Sequence, residues 1–251
     1  MEDLSNLGPR IILKIGDHFY LTETFFWGLI VAVVLIIGAF YLTRRMEKIP
    51  RGRQIVAELI VEKVYNLVED TMGKEGIKYA PYIGTVFGFL ILGNGLGLFG
   101  LRPATADINM TFAFSILTFL IIQRQGIKSY GVRGKLKEMC EPYTFMFPLK
   151  VVEQISLPIS LAFRLFGNIF GGAIVMALIF KALAYTSFKV GLKVPLFQVI
   201  IPLPANLFFD VFEPVLQAFI FTMLTMVFVA MEIFVEESTT TQVQIEHKEK
   251  K

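Results

Sequence analysis

The sequence predicts an all-α polytopic membrane protein with about five transmembrane helices and one interfacial amphipathic helix, the last two spans being long and strongly tilted. Its 251 residues are 55% hydrophobic and 18% charged, and the mean hydropathy is +0.63. This is more apolar than an average soluble domain. We expect a single integral membrane domain over residues 1–251, with an external segment at 1–24 and a polar, disordered cytoplasmic tail at 237–251.

Charge and cysteine content exclude several functional classes. The net charge is only +3, and the basic residues are distributed over loops, so we expect no binding to nucleic acid. Cys140 is the single cysteine, which precludes an internal disulfide and a cysteine metal cluster. The sequence contains no phosphate-binding glycine loop and no nucleophile with its base. We therefore expect no cofactor and no enzymatic activity.

The first span is predicted at residues 25–42, an uncharged stretch long enough to cross a bilayer as a helix. A basic segment follows it: Arg44, Arg45, Lys48, Arg51 and Arg53. Basic loops stay on the cytoplasmic side of a membrane. The N-terminus is therefore expected outside.

Residues 54–72 alternate apolar and charged side chains at helical spacing. This pattern predicts an amphipathic helix on the cytoplasmic membrane surface. The alternative is a solvent-exposed helix that packs on another domain.

Two further spans are predicted at residues 82–101 and 108–122. Asn94 lies among glycines in the first of them, where we expect an interhelical hydrogen bond, with channel lining as the alternative. The second span leads into a predicted loop at 124–137, which is again basic. It agrees with the cytoplasmic assignment of the first basic loop.

The last two apolar segments, residues 148–184 and 204–236, are too long for upright spans. The first would measure roughly 55 Å as a helix, against a hydrocarbon core of about 30 Å. We therefore expect both helices to be strongly tilted; the alternative for the first is that part of it lies in the membrane interface. The outer turn between them is expected near Lys193 and Pro195. Two long, tilted helices side by side would form a surface that can wrap around a cylindrical partner.

Arg164 lies in the middle of the first long segment. An arginine at membrane depth costs at least a few kcal/mol, which favours a functional cation over a structural ion pair. Small and polar residues share its helical face: Ser156, Ser160, Asn168 and Gly171.

The final segment carries a polar stripe at positions i, i+4, i+7 and i+11: Asn206, Asp210, Glu213 and Gln217. Carboxylates in lipid must be paired, neutral or hydrated, so the stripe predicts a water-filled path. The alternative places Asp210 and Glu213 at the outer interface without a role.

Three motifs in order resemble subunit a of F-type ATP synthases. They are residues 164–168 (RLFGN) after a Pro-x-Ser-Leu run, residues 216–225 (LQAFIFTMLT), and residues 103–109 (PATADIN). The resemblance covers roughly residues 20–232. It implies a stator subunit that faces a rotating ring of c subunits and forms two offset aqueous half-channels with it.

The resemblance also implies roles for particular residues. Arg164 would attract the ionised carboxylate of the rotor and block a leak between the half-channels. Gln217 would face this arginine, and Asn168 matches the asparagine one turn beyond it. Asp107 and Asn109 would lie near the mouth of the outer half-channel.

The chain departs from the family pattern at two positions. Ala173 stands where many members have a glutamate, and Asp210 stands where a histidine or glutamate is frequent. We expect Glu213 to take over the missing carboxylate. Glu153, eleven residues before Arg164, is placed to line the cytoplasmic half-channel.

The expected partners are the c-subunit ring, the b-subunit peripheral stalk, the remaining ATP synthase subunits and the lipid bilayer. The expected location is a bacterial plasma membrane, with the N-terminus outside and the C-terminus in the cytoplasm. The alternative function is a self-contained secondary ion transporter or channel, which would enclose its own pathway, often between repeated halves. The coupling ion, proton or sodium, is left open.

Overall fold

The computed structural model describes residues 11–15, 19–44, 46–140, 144–189 and 201–249. In this part of the chain, five helical segments are long and apolar enough to cross a membrane: Glu23–Thr43, Lys74–Phe99, Ile108–Leu136, Phe147–Lys189 and Pro202–Phe234. The all-α polytopic class and the number of spans are therefore confirmed.

The N-terminal segment before α1 contains a β-hairpin that the sequence interpretation did not anticipate. Strand β1 (Ile11–Ile15) pairs antiparallel with β2 (Phe19–Thr22), with Ile15 opposite Phe19. Branched and aromatic residues in both strands favour this conformation. The hairpin leads directly into helix α1 (Glu23–Thr43).

Three helices follow: α2 (Arg53–Met72), α3 (Ala80–Gly95) and α4 (Ile108–Cys140). The predicted amphipathic helix is thus present as α2, while its place at the membrane surface stays a prediction. The predicted loop at 124–137 is wrong, because α4 continues through it. Its basic residues are good helix formers, and the chain breaks only at Gly131, with φ 69° and ψ 164°.

Helix α5 (Phe147–Lys189) runs for 43 residues through Pro158. The last segment comprises α6 (Pro202–Leu207), a π-helical turn at Phe208–Phe212 and α7 (Glu213–Glu249). The two long helices are confirmed, and their tilt stays a prediction. The disordered tail is wrong as far as Glu249, because no glycine or proline interrupts α7 after Pro214. The expected outer turn at Lys193 and Pro195 lies outside the described residues.

The chain divides into two compact units, residues 1–38, 87–111 and 162–220 in the first and residues 39–86, 112–161 and 221–251 in the second. The second unit has a core contributed by α2, α3, α4 and α7, which includes Met72, Ile83, Ile122 and Met226. At its edge, the Lys135 ammonium lies 2.6 Å from the Glu232 carboxylate, which ties α4 to α7. The first unit holds the polar residues described next.

Candidate functional site

Arg164 lies half-buried on α5, between the fully buried Ala162 and Leu165 and the exposed Phe163. Within the described part of the chain, the guanidinium has no carboxylate at ion-pair distance and no hydrogen bond. Arginine keeps its charge at any physiological pH. Helix α5 therefore carries a cation that these residues leave uncompensated.

One turn after Arg164, α5 is hydrogen-bonded to the last helix. The Asn168 side-chain amide donates to the Gln217 Oε1 atom. Gln217 is 1% exposed, and its own Nε2 donor has no partner among the described residues. The pair holds α5 and α7 together and leaves one buried N–H group available.

A cavity of about 320 Å³ lies within the first unit. Its apolar and small lining includes Gly172, Ala173 and Met176 of α5. Five polar or charged side chains also line it: Asn94, Arg102, Asn206, Asp210 and Glu213. Carboxylates in such surroundings need water or a cation, and the cavity offers room for either beside Asp210 and Glu213.

Asn94 is a polar residue of this cavity that the sequence interpretation treated first as a packing residue. It is fully buried, and its Oδ1 atom accepts a hydrogen bond from the Thr105 hydroxyl. Its Nδ2 donor has no partner in the described residues. The expected interhelical hydrogen bond is therefore not what Asn94 forms: it bonds the short 3-10 turn Ala104–Ala106 and lines the cavity with an unsatisfied donor.

A π-helical turn at Phe208–Phe212 lies within the polar stripe of the last segment. The Glu213 N–H donates to the Phe208 carbonyl, five residues earlier. Pro214 follows, and its ring would crowd the carbonyl of Asp210 in a regular α-helix. The wider turn relieves this crowding. Asn206, Asp210 and Glu213 line the cavity, and Gln217, four residues after Glu213 in regular α-helix, contacts Asn168.

Glu213 reaches close to α5 at a glycine. A Cβ atom added to Gly172 would lie 3.1 Å from the Glu213 Oε2 atom and 2.9 Å from the Phe209 ring. The carboxylate of the last helix therefore lies beside the residue that precedes Ala173. Absence of a side chain at Gly172 is what allows this approach.

The other predicted site residues lie elsewhere. Asp107 is 6% exposed and accepts hydrogen bonds from the Thr22 hydroxyl at 3.2 Å and the Thr24 hydroxyl at 3.0 Å. It also accepts the Asn109 N–H at 3.0 Å, as the N-cap of α4. Asn109 itself is exposed, and so is Glu153 on the part of α5 that belongs to the second unit.

The structure thus brings together Asp210 with Glu213, and Asn168 with Gln217, whereas Asp107 and Asn109 form a helix cap. It adds Asn94 as an unsatisfied donor and Arg102 as a basic lining residue. In the sequence, the only indication that Asn94 belongs to the site was that it is a polar residue within an apolar span. For Arg102 the sequence offered only its place in the same loop as Asp107.

Comparison with known proteins gives one consistent result. The family model described as ATP synthase A chain matches residues 25–230. ATP synthase subunit a of Moorella thermoacetica is 38% identical over 90% of this chain and 97% of its own length. ATP synthase subunit a of Campylobacter jejuni subsp. doylei is 34% identical over 88% of this chain and 94% of its own length. The sodium ion specific ATP synthase subunit a of Propionigenium modestum is 31% identical over 79% of this chain and 70% of its own length.

Proposed function

The chain belongs to the ATP synthase A chain family, and from this premise we propose that it is the ion-translocating stator subunit that faces the rotating c-ring. Membership makes it a multi-pass membrane subunit of an ATP synthase, in which the catalytic chemistry belongs to other subunits. It also removes the reason to consider a self-contained transporter or channel. The roles of individual residues in the following paragraphs are part of the proposal.

The single observation that supports this function best is the uncompensated charge of Arg164. A guanidinium in a membrane-spanning helix needs a counter-charge or water, and the described residues supply no carboxylate. A carboxylate on a neighbouring rotor subunit would supply it. At an effective dielectric constant of about 20 and a separation of about 4 Å, such a pair is worth roughly 4 kcal/mol.

The contact between Arg164 and the rotor must remain loose. A dry ion pair would trap the rotor, whereas the driving force is only about 2.3 kcal/mol per charge per 100 mV. The hydrogen bond between Asn168 and Gln217 supports this role, because it fixes the two helices one turn away from the arginine. The free Nε2 donor of Gln217 can hold water or the rotor carboxylate.

We assign the outer half-channel to the cavity that contains Asp210, Glu213 and Asn94. Two carboxylates attract cations into it, and the amide donor orients water. Glu213 supports this assignment most directly, because its carboxylate lies beside Gly172. It would thereby supply a charge next to Ala173, where many members of the family carry glutamate.

The remaining roles follow the same proposal. Glu153 would line the inner half-channel, and Asp107 and Asn109 would shape the outer loop as a cap of α4. The c-ring and the b-subunit peripheral stalk would be direct partners. The N-terminus would lie outside and the C-terminus in the cytoplasm. Either a proton or a sodium ion would serve as the coupling ion.

The decisive variant is Arg164→Ala in the assembled synthase. We expect ion-driven ATP synthesis in membrane vesicles to fall to background while all subunits still copurify. Arg164→Lys should also lose most activity, because an ammonium does not reproduce the planar, permanently charged guanidinium.

Lys181→Ala is the matched control, since Lys181 is an exposed cation on the same helix. Its synthesis rate should stay close to that of the wild type. A fully assembled Arg164→Ala complex that synthesises ATP at the normal rate would refute the proposal.

A further inference from the structure

The connection between α1 and α2 carries a concentration of positive charge that the ion path does not use. Residues 44–53 contain five basic residues and the single acidic residue Glu47. Lys48 and Arg51 are exposed, and so are two apolar side chains of the same connection, Met46 at 61% and Ile49 at 69%. Interleaved cationic and apolar side chains suit the boundary between lipid headgroups and acyl chains.

The Gln54 side chain is hydrogen-bonded to this loop. Its side chain is 5% exposed, and its Oε1 atom accepts the Glu47 N–H at 2.9 Å. Its Nε2 atom donates to the Glu47 carbonyl at 2.9 Å and to the Glu58 carboxylate at 2.8 Å. The amide thus pairs with the backbone of Glu47 as a neighbouring strand would, and closes the loop at its base.

A second contact ties the end of the loop to α1. The Arg53 guanidinium carbon lies 4.6 Å from the centre of the Tyr41 ring, within the range of a cation–π interaction. Lys48 and Arg51 therefore stand on a loop that is closed by two independent contacts. Such a loop presents its charges with little loss of conformational freedom on binding.

The first two turns of α2 extend the surface beyond the loop. Four apolar side chains there are about half exposed: Ile55, Val56, Leu59 and Ile60. The same helix buries Ala57 and Val68, so the exposed residues face away from the protein. An apolar face beside a closed basic loop matches a lipid, which has an anionic headgroup and acyl chains at the same level.

We propose that residues 46–60 form a binding site for anionic phospholipid. Lys48 and Arg51 hold the headgroup phosphate, and the exposed face of α2 lies among the acyl chains. Charge complementarity selects anionic over zwitterionic lipid. This site is independent of the role assigned to Arg164.

The test titrates the purified full-length chain in detergent with phosphatidylglycerol or with phosphatidylcholine of the same acyl chains, and counts bound lipid by native mass spectrometry. The wild type should prefer phosphatidylglycerol. The double variant Lys48→Gln with Arg51→Gln should weaken phosphatidylglycerol binding by roughly thirtyfold. Its binding of phosphatidylcholine should be unchanged.

Two further variants separate a built site from general charge attraction. Lys128→Gln with Arg133→Gln removes two exposed cations from α4 and should leave the preference intact. Gln54→Met keeps every charge but releases the loop, and should reduce the preference. The charge variants change exposed residues and should fold normally, so they test the proposal even if Gln54→Met does not fold.

Three results would overturn the proposal. The first is equal binding of both lipids by the wild type. The second is a loss of phosphatidylglycerol affinity in the Lys128→Gln, Arg133→Gln control as large as in the Lys48→Gln, Arg51→Gln variant. The third is an unchanged lipid preference in the Lys48→Gln, Arg51→Gln variant together with loss of another subunit from the assembled complex. That result would assign the loop to an acidic protein partner.

Discussion

Gly172 shows how one missing side chain shapes the candidate ion path. It brings the Glu213 carboxylate against α5, so the last helix can place a charge beside Ala173. Asp210 lies near the 3-10 turn Leu96–Phe99 that follows α3, since a Cβ atom added to Gly97 would be 3.7 Å from the Asp210 Oδ1 atom. Two carboxylates of one segment therefore reach towards two different walls.

This arrangement predicts that Asp210 and Glu213 act together. The double variant Asp210→Asn with Glu213→Gln should lower ion flux through the reconstituted membrane sector by roughly tenfold or more, a barrier increase of at least about 1.4 kcal/mol. Each single variant should lower flux less, because the other carboxylate remains. ATP hydrolysis by the detached catalytic head should be unchanged.

Two comparisons make this measurement specific. Glu69→Gln with Asp70→Asn neutralises two exposed carboxylates on α2 and should leave the flux unchanged. Ala173→Glu added to the double variant should restore part of it. Normal flux in the double variant would instead mean that both carboxylates are merely interfacial.

Among the elements, α4 carries buried polar side chains that contact three other helices. Lipid gives helices little hydrophobic reason to associate, so interhelical hydrogen bonds contribute to their packing. In the second unit, the Tyr82 and Thr118 hydroxyls lie 2.8 Å apart, and the Tyr79 hydroxyl donates to Gln125 at 2.7 Å. Two further side chains of α4 donate to carbonyls of α5 and α7: Ser115 to Pro158 and Ser129 to Glu232.

A double-mutant cycle on Tyr82 and Thr118 tests this role of α4. Thr118→Val and Tyr82→Phe should each lower the free energy of unfolding in detergent by about 1 kcal/mol, with a coupling between about 0.6 and 1.7 kcal/mol. Thr85→Val is the control, because that exposed hydroxyl bonds only within its own helix, to Pro81. Strictly additive effects of the two changes would contradict the interhelical bond.

For the whole molecule, the order of spans and the two basic segments determine the expected orientation in the membrane. Positive charge flanks the end of α1 and the end of α4, so we propose that both ends are cytoplasmic. Five spans place the termini on opposite sides. The lengths of the five helical segments agree with this count.

Two exposed phenylalanines make matched probes of this topology. Phe99 is 79% exposed and Phe145 is 81% exposed. A difference in labelling between cysteines at these two positions should therefore reflect the side of the membrane on which each lies, and not burial. In a Cys140→Ser background, Phe99→Cys should react with an impermeant maleimide added to intact cells. Phe145→Cys should react only in inverted vesicles. Equal labelling of both from outside would exclude the proposed orientation.

The sequence alone determined the properties that depend on neighbours along the chain. Hydropathy specified five spans, because a bilayer of given thickness needs an apolar stretch of given length. Helical periodicity placed Arg164 and Asn168 on one face of α5. These inferences needed no knowledge of what each helix contacts, and the span count was confirmed.

Only the tertiary structure decided which distant residues meet. The Asn168 amide meets Gln217 of the last helix, and the Glu213 carboxylate approaches α5 at Gly172. Folding also made Asp107 a helix cap held by Thr22 and Thr24, and placed Asn94 in the cavity wall. Such contacts join residues tens of positions apart, so they depend on the packing of helices against one another, which local periodicity does not encode.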